Sequence, residues 1–334
     1  MTLTTTAIGY MENLPVTNPE SLVERTVDVP PLGSHDLLVE IAAVSVNPVD
    51  VKQRAQVAPD GFRVLGFDGA GTVRAAGQEV TLFSPGDEVY YAGTIDRPGT
   101  DQRLHLVDER IVGRKPASLS FAEAAALPLT TITAWEVLFE QFRLTPDSRG
   151  TLLIIDATGG VGSVMVQLAE ALLPDISVIA TASTPERADW IRSLGAEHTV
   201  NHRHDLTSQV LAIAPGGVDW LFTGHSEGQL PLYATIVRPF GEITAIDDGP
   251  RDVSLLKPRS ITWHWEFMFT RPVQQTPDMS GQHDLLNRVA DLVDEGRLHT
   301  TATQTLSPIS AATMRQAHEL VESGRTLGKV VVEG

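Results

Sequence analysis

The residues best suited to chemistry lie mid-chain, at Asp156-Ala157-Thr158-Gly159-Gly160-Val161-Gly162. Ala157, Gly159 and Gly162 have the spacing of a G-x-G-x-x-G turn, with Ala at the first position. The apolar stretch Thr151–Ile155 precedes the turn, and the periodic stretch Ser163–Leu172 follows it as a predicted helix. Gly159 lets the backbone approach a pyrophosphate, and Gly162 lets the helix pack close to the strand. Free N–H groups and the positive helix end at Thr158, Gly159, Gly160, Val161 and Gly162 then hold the phosphates. Asp156 is out of character, because a carboxylate beside pyrophosphate is unfavourable.

The residues near the end of the next strand bear on which dinucleotide is bound. An NAD site places Asp or Glu about 20 residues beyond the turn, for the ribose 2′-hydroxyl. Thr181-Ala182-Ser183 supplies no carboxylate there, and Arg187 follows one helical turn later. Ser183 and Arg187 suit a 2′-phosphate, and His202 can close the same pocket, so NADPH is the expected cofactor. The competing reading makes Arg187 a solvated helix residue.

These residues need a scaffold, and the sequence supplies a run of βα units. Ser177–Thr181, His198–Val200, Val218–Phe222 and Gly241–Ile246 read as strands. Between them Thr184–Leu194, Leu206–Ala214 and Gln229–Val237 read as helices, the first with Thr184 as N-cap and Pro185 at its first position. Such alternation implies a doubly wound parallel sheet binding ligand at its carboxyl edge. Thr223 and Gly224, then Ile246 and Asp247, end the fourth and fifth strands and are expected to touch the ribose groups. In the N-terminal third Leu37–Val46 alternates and runs apolar like a strand and Gly66–Val73 is Gly-rich, and short strands with many Gly and Pro suggest an irregular β-barrel. After the helix Asp284–Glu295, Thr300–Leu306 and Leu327–Glu333 read as strands returning to it, with a cleft between the domains. The expected division is 1–127 completed by 275–334, and 128–274 for the nucleotide.

Composition narrows the partners. The 334 residues carry a formal charge of −17 and a pI near 4.9, which argues against nucleic acid and anionic membranes. There is no cysteine, hence no disulfide, thiol nucleophile or Cys-based zinc site. No targeting segment or membrane-length apolar run is visible, so a cytoplasmic location is expected.

Several spaced motifs resemble the medium-chain dehydrogenase/reductase superfamily, in its zinc-free quinone oxidoreductase branch. The bacterial zinc-type alcohol dehydrogenase-like group shows the likeness in particular. The motifs are Ser45-Val46-Asn47-Pro48-Val49-Asp50, Leu65-Gly66-Phe67-Asp68-Gly69-Ala70-Gly71, Ala125-Ala126-Leu127-Pro128 running on to Thr133-Ala134-Trp135, the glycine turn, and His264–Arg271. The resemblance implies a GroES-like barrel with a Rossmann domain, an α/β fold, and a homodimer. It implies nicotinamide contacts from Asn47 and Thr133, with backbone contacts from Phe267 and Met268. Lys329 matches a position that reaches cofactor phosphate. Bland alternatives stand beside these: Asn47 as a helix N-cap, Thr133 as a self-bonded helix hydroxyl, Lys329 as an exposed strand-start lysine.

Zinc-dependent relatives place metal ligands where this chain has Asn47, Phe67 and a residue near Leu129. Phe67 and Leu129 offer no donor, so no metal is expected. Without a Lewis acid, hydride addition to an electron-poor acceptor is the easier chemistry. The expected activity is NADPH-dependent reduction of a quinone or α,β-unsaturated carbonyl. An enoyl-thioester reductase and a non-catalytic NADPH-binding protein are the alternatives. Tyr90, Tyr91, Asp50 and Lys52 are candidate proton donors, and 51–63, 92–100 and 267–276 are candidate substrate loops.

Overall fold

A computed structural model describes residues 2–334. The chain forms two compact units, one running through Ile132 and resuming at Phe269–Gly334, the other Thr133–Met268. The first boundary falls inside the helix Pro128–Trp135, a few residues beyond the expected 127/128.

The second unit is a six-stranded parallel sheet. Its strands are β1 (Gly150–Ile154), β2 (Ile176–Thr181), β3 (His198–Val200), β4 (Val218–Thr223), β5 (Val237–Ala245) and β6 (Thr262–Trp265), in the order β3-β2-β1-β4-β5-β6. Neighbours pair in parallel throughout, and the order reverses between β1 and β4. A parallel sheet is covered on both faces, which is why its strands read as apolar runs. Leu153, Ile179, Val210, Leu221, Tyr233 and Ile243 form the core on one side.

The helices begin where the side chains can cap them. Thr184 accepts a hydrogen bond from the Arg187 backbone N–H (3.3 Å) and opens α2 (Pro185–Ser193), with Pro185 at its first position. Asp205 does the same from Ser208 for α3 (Leu206–Ile213). The helix α1 (Gly160–Leu172) has only Gly159 at its cap, so no side chain satisfies its first N–H groups. Ahead of the sheet, the helix Pro128–Trp135 runs on into a π-helical turn, Glu136–Gln141.

The first unit is an irregular, largely antiparallel β-structure built on the long strand Asp36–Val46. That strand pairs antiparallel with Gly69–Ala76, Leu104–Asp108 and Lys329–Glu333. The last pairing sets Val330 against Val46 and Val331 against Ser45, which delivers Lys329 to the end of the central strand. The helix Pro48–Gln56 leaves that same end, anchored by Arg54. The Arg54 guanidinium is fully buried and donates to Leu14 O, His318 Nδ1 and Glu322 Oε2.

Candidate functional site

The second unit gathers most of the expected cofactor residues at the carboxyl ends of β1, β2 and β4. The turn after β1 is closed by a hydrogen bond from Gly159 N to Asp156 O (3.1 Å). Thr158 is buried, while Gly159, Gly160 and Val161 are half-buried at the opening of α1. A β-carbon on Gly162 would lie 2.4 Å from Ala157 Cα and 2.6 Å from the Ala157 and Asp156 carbonyl oxygens. Glycine is therefore required for the helix to sit this close to the turn. A cradle of unsatisfied N–H groups, with backbone bare enough for approach, fits a dinucleotide pyrophosphate.

Arg187 reaches back from α2 to the turn, its NH1 donating to Thr158 Oγ1 at 2.6 Å. Ser183 is half-buried at the end of β2, its carbonyl accepting from Asn201 Nδ2 (3.3 Å). His202 is exposed beyond β3. Partial desolvation pulls its pKa below the usual imidazole range. Asp156 opposes that shift, while Arg203, Arg187 and His225 reinforce it. The Arg187 guanidinium thus touches the turn, and the His202 and His225 imidazoles lie within electrostatic reach of its Asp156.

The other expected residues make contacts of their own. The Thr223 hydroxyl points into the core, 2.8 Å from the Tyr233 hydroxyl, and accepts from His225 N (3.0 Å). Asp247 is held by Ser226 N and Oγ (both 2.7 Å) and by Arg251 NH2 (2.6 Å). Burial raises its pKa, but those bonds outweigh burial and leave it below the carboxylate norm. Ile246 N is bonded to Thr223 O (3.2 Å), and Gly224 lies beside the Asp156 carboxylate. Phe267 is half exposed, Met268 is buried, and Thr133 is buried at the start of the unit.

The first unit holds Asn47 and Lys329 in direct contact. Lys329 Nζ donates to Val46 O (3.1 Å), Asp68 Oδ2 (3.0 Å) and Asn47 Oδ1. An ammonium has three donors, and here each has a buried acceptor. Lys329 is therefore neither the exposed strand-start lysine nor, in this arrangement, a phosphate ligand. Asp68, fully buried, also accepts from Ser45 Oγ (2.8 Å), Asn47 Nδ2 (2.7 Å) and Leu129 N (2.7 Å). One carboxylate thus ties together the segments at 45–47, 67–68, 129 and 329.

Asn47 does precede a helix, and Asp50 accepts from its backbone N–H (2.8 Å), one half of a capping box. Asp50 also accepts from Gly66 N (3.0 Å). Burial pushes its carboxyl up to about 7, against those hydrogen bonds and the Lys329 charge. The other proton-donor candidates are placed differently. Tyr90 donates to Leu286 O (2.6 Å) and Tyr91 lies 2.9 Å from His105 Nδ1, both fully buried. Lys52 is exposed.

The matching families explain the architecture. Residues 33–134 match the alcohol dehydrogenase GroES-like domain, and residues 194–332 match the zinc-binding dehydrogenase domain. A zinc-type alcohol dehydrogenase-like protein of Staphylococcus aureus is 40% identical over 304 residues, covering 89% of this chain and 90% of that protein. The 2-methylene-furan-3-one reductase of Solanum lycopersicum is 29% identical over 320 residues, covering 93% and 74%. A Rhizobium etli crystal structure described as a zinc-dependent alcohol dehydrogenase protein superposes with a TM-score of 0.95 at 49% identity, covering 100% and 99%. The chain belongs to the medium-chain dehydrogenase/reductase superfamily. It is an oxidoreductase of the alcohol dehydrogenase type, and its family binds a nicotinamide cofactor.

The zinc in those names does not fit the residues present. Phe67 is fully buried with its ring edge-on to Phe269 (5.3 Å between centroids). Leu129 contributes a backbone N–H to Asp68, and the Asp68 charge is already met by Lys329. Among the described residues no three His, Cys, Asp or Glu side chains cluster as a metal site. His264, the histidine of β6, has its Nε2 2.7 Å from Glu242 Oε2.

Proposed function

We propose that this protein is a zinc-independent, NADPH-dependent reductase acting on a quinone or an α,β-unsaturated carbonyl. The observation that carries the reading is the Asp68–Lys329 ion pair, a buried ammonium bonded to the carboxylate that joins the segments where relatives hold metal. No residue there can polarise an alcohol as a Lewis acid, so oxidation of an unactivated alcohol is disfavoured. A bound NADPH supplies hydride, and an acceptor that delocalises the arriving charge onto an oxygen needs only a solvent proton. The burial of the Tyr90 and Tyr91 hydroxyls supports solvent as the proton source. In this reading the residues of the second unit bind and orient: Thr158–Gly162 the pyrophosphate, Ser183 and Arg187 the 2′-phosphate, Thr133 the nicotinamide face. The likeness to a reductase named for an exocyclic enone supports this acceptor class.

A homodimer belongs to the same proposal. β6 is an edge strand, and Trp265 and Phe267 beside it are half exposed. Light scattering behind a sizing column reads the mass directly. A monomer under all conditions would remove this part.

The test of the reaction is NADPH oxidation against ortho-quinones, para-quinones and 2-alkenals with EDTA present. Turnover unaffected by chelator is the expected result. Activity that disappears with EDTA and returns with zinc would overturn the reading.

A further inference from the structure

Asp156 is unusual twice over. It adopts a left-handed backbone conformation (φ 62°) that favours glycine. It also places a carboxylate in the phosphate turn. The structure shows where that carboxylate goes. Oδ2 lies 2.9 Å from His225 Nε2, and a β-carbon on Gly224 would come within 3.1 Å of it. The Asp156 backbone N–H is bonded to Thr181 Oγ1 (3.1 Å). One residue thus links the ends of β1, β2 and β4, across the point where strand order reverses and where ligands of such sheets bind.

The ionisable groups near it are mostly basic. His225 from the end of β4 pairs with it and His202 from the end of β3 feels its charge, while Arg187 from α2 and Arg203 lie within electrostatic reach of His202. Tyr233 is close enough to feel Asp156, but its hydroxyl is bonded to Thr223 and His225 O. Asp247 and Arg251, also nearby, neutralise each other. The Asp156–His225 pair is solvated, the imidazole 79% exposed and the carboxylate 45%. Exposed pairs of this kind are weak, so the imidazole can turn from the carboxylate to a stronger anion without a large penalty.

We propose that Asp156 and His225 form an electrostatic latch at the dinucleotide cradle: the carboxylate holds the imidazole until a pyrophosphate takes its place beside it, and the protein takes up a proton on His225 as the dinucleotide binds. The inference rests on the dinucleotide reading above. A pyrophosphate adds negative charge beside Asp156, and a protonated His225 compensates both. Affinity therefore rises as pH falls through the imidazole range. Asp156 is the affinity-limiting member and His225 the proton-carrying one.

The test is the dissociation constant of NADPH, and of NADH as a control without a titrating 2′-phosphate, from pH 6 to 8.5. Calorimetry in buffers of different ionisation heat counts the protons. For wild type the expected slope approaches, at most, about tenfold per pH unit, with proton uptake for both dinucleotides. Asp156→Gly, which suits the left-handed backbone, should bind about three- to tenfold more tightly at pH 8. His225→Gln should bind more weakly at pH 6 and lose the slope, whereas His202→Gln should keep it. Asp156→Gly combined with His225→Gln should recover affinity without the slope. Unchanged affinity in Asp156→Gly would overturn the latch, and weaker binding would reassign the carboxylate to a ribose hydroxyl. A slope that survives in His225→Gln, or one confined to NADPH, would overturn it equally. Those outcomes leave the dinucleotide reading intact, whereas absence of binding to every variant would remove both.

Discussion

The Asp68–Lys329 pair is the residue-scale feature with the clearest energetic consequence. Removing one member of a buried ion pair strands the other charge, which costs about 3–5 kcal/mol. Asp68→Asn and Lys329→Met are each expected to lose stability on that scale, read from urea unfolding at pH 7. The double variant, Asp68→Leu with Lys329→Met, should recover a large part, because the penalty lies in the unpaired charge. Arg187 allows a second residue-scale prediction. Arg187→Glu should weaken NADPH binding at least tenfold more than NADH binding, measured by fluorescence titration. Equal losses would place the guanidinium away from the 2′-phosphate. Neither Asp68 nor Lys329 is legible as a pair in the sequence, since 261 positions separate them.

Elements were legible where a local pattern decided them. Strands β1 to β5 and the helices between them followed from apolar runs, Thr184 capping and the glycine turn. β6 did not, because Thr262-Trp263-His264-Trp265 presents aromatics and a histidine instead of an aliphatic run. The helix Ala311–Glu322 also escaped, although Met314, Ala317 and His318 bury one face at i, i+3, i+4 spacing. Its anchor is Arg54, far away in sequence. Asp156 was legible only as an anomaly, because a left-handed turn position is invisible when the glycine that marks it is absent. At this scale Gly162→Ala should force α1 away from its turn. About 1–3 kcal/mol of stability is expected to go, together with most NADPH affinity, seen in thermal unfolding and titration.

The strand Leu104–Asp108 carries a pH-sensitive contact. His105 lies between Tyr91 OH and Pro98 O (3.0 Å), and burial lowers its pKa to about 4. The unfolded chain takes the proton near the ordinary value of about 6.5. The stabilisation is therefore fully present above that pH and is lost as pH falls toward 4. Asp50 acts in the opposite sense, since its raised carboxyl makes stability fall as pH rises from about 4 to 7. Comparing wild type with His105→Gln isolates the imidazole. The variant should lose less stability between pH 7.5 and 4.5, by urea midpoints.

At the scale of the whole molecule, two units with separate cores share one chain. No helix among the described residues is long and apolar enough to cross a membrane. A ligand held by the second unit stabilises it by mass action, about 2.7 kcal/mol at a hundredfold excess over the dissociation constant. NADPH should therefore slow hydrogen exchange in 156–162 and the start of α1 far more than in the strand Asp36–Val46. Uniform protection, or none in the turn, would contradict the cradle.

The strand Lys329–Glu333 gives the two units different histories during synthesis. Every strand of the parallel sheet lies in one continuous stretch, 150–265, so that unit can close as soon as the stretch has left the ribosome. The barrel cannot. Asp68 emerges early, buried-to-be and without its cation, and waits for Lys329 until 261 further positions have been translated. The nucleotide-binding unit is thus positioned to finish first, and the GroES-like barrel, begun earliest, is completed last.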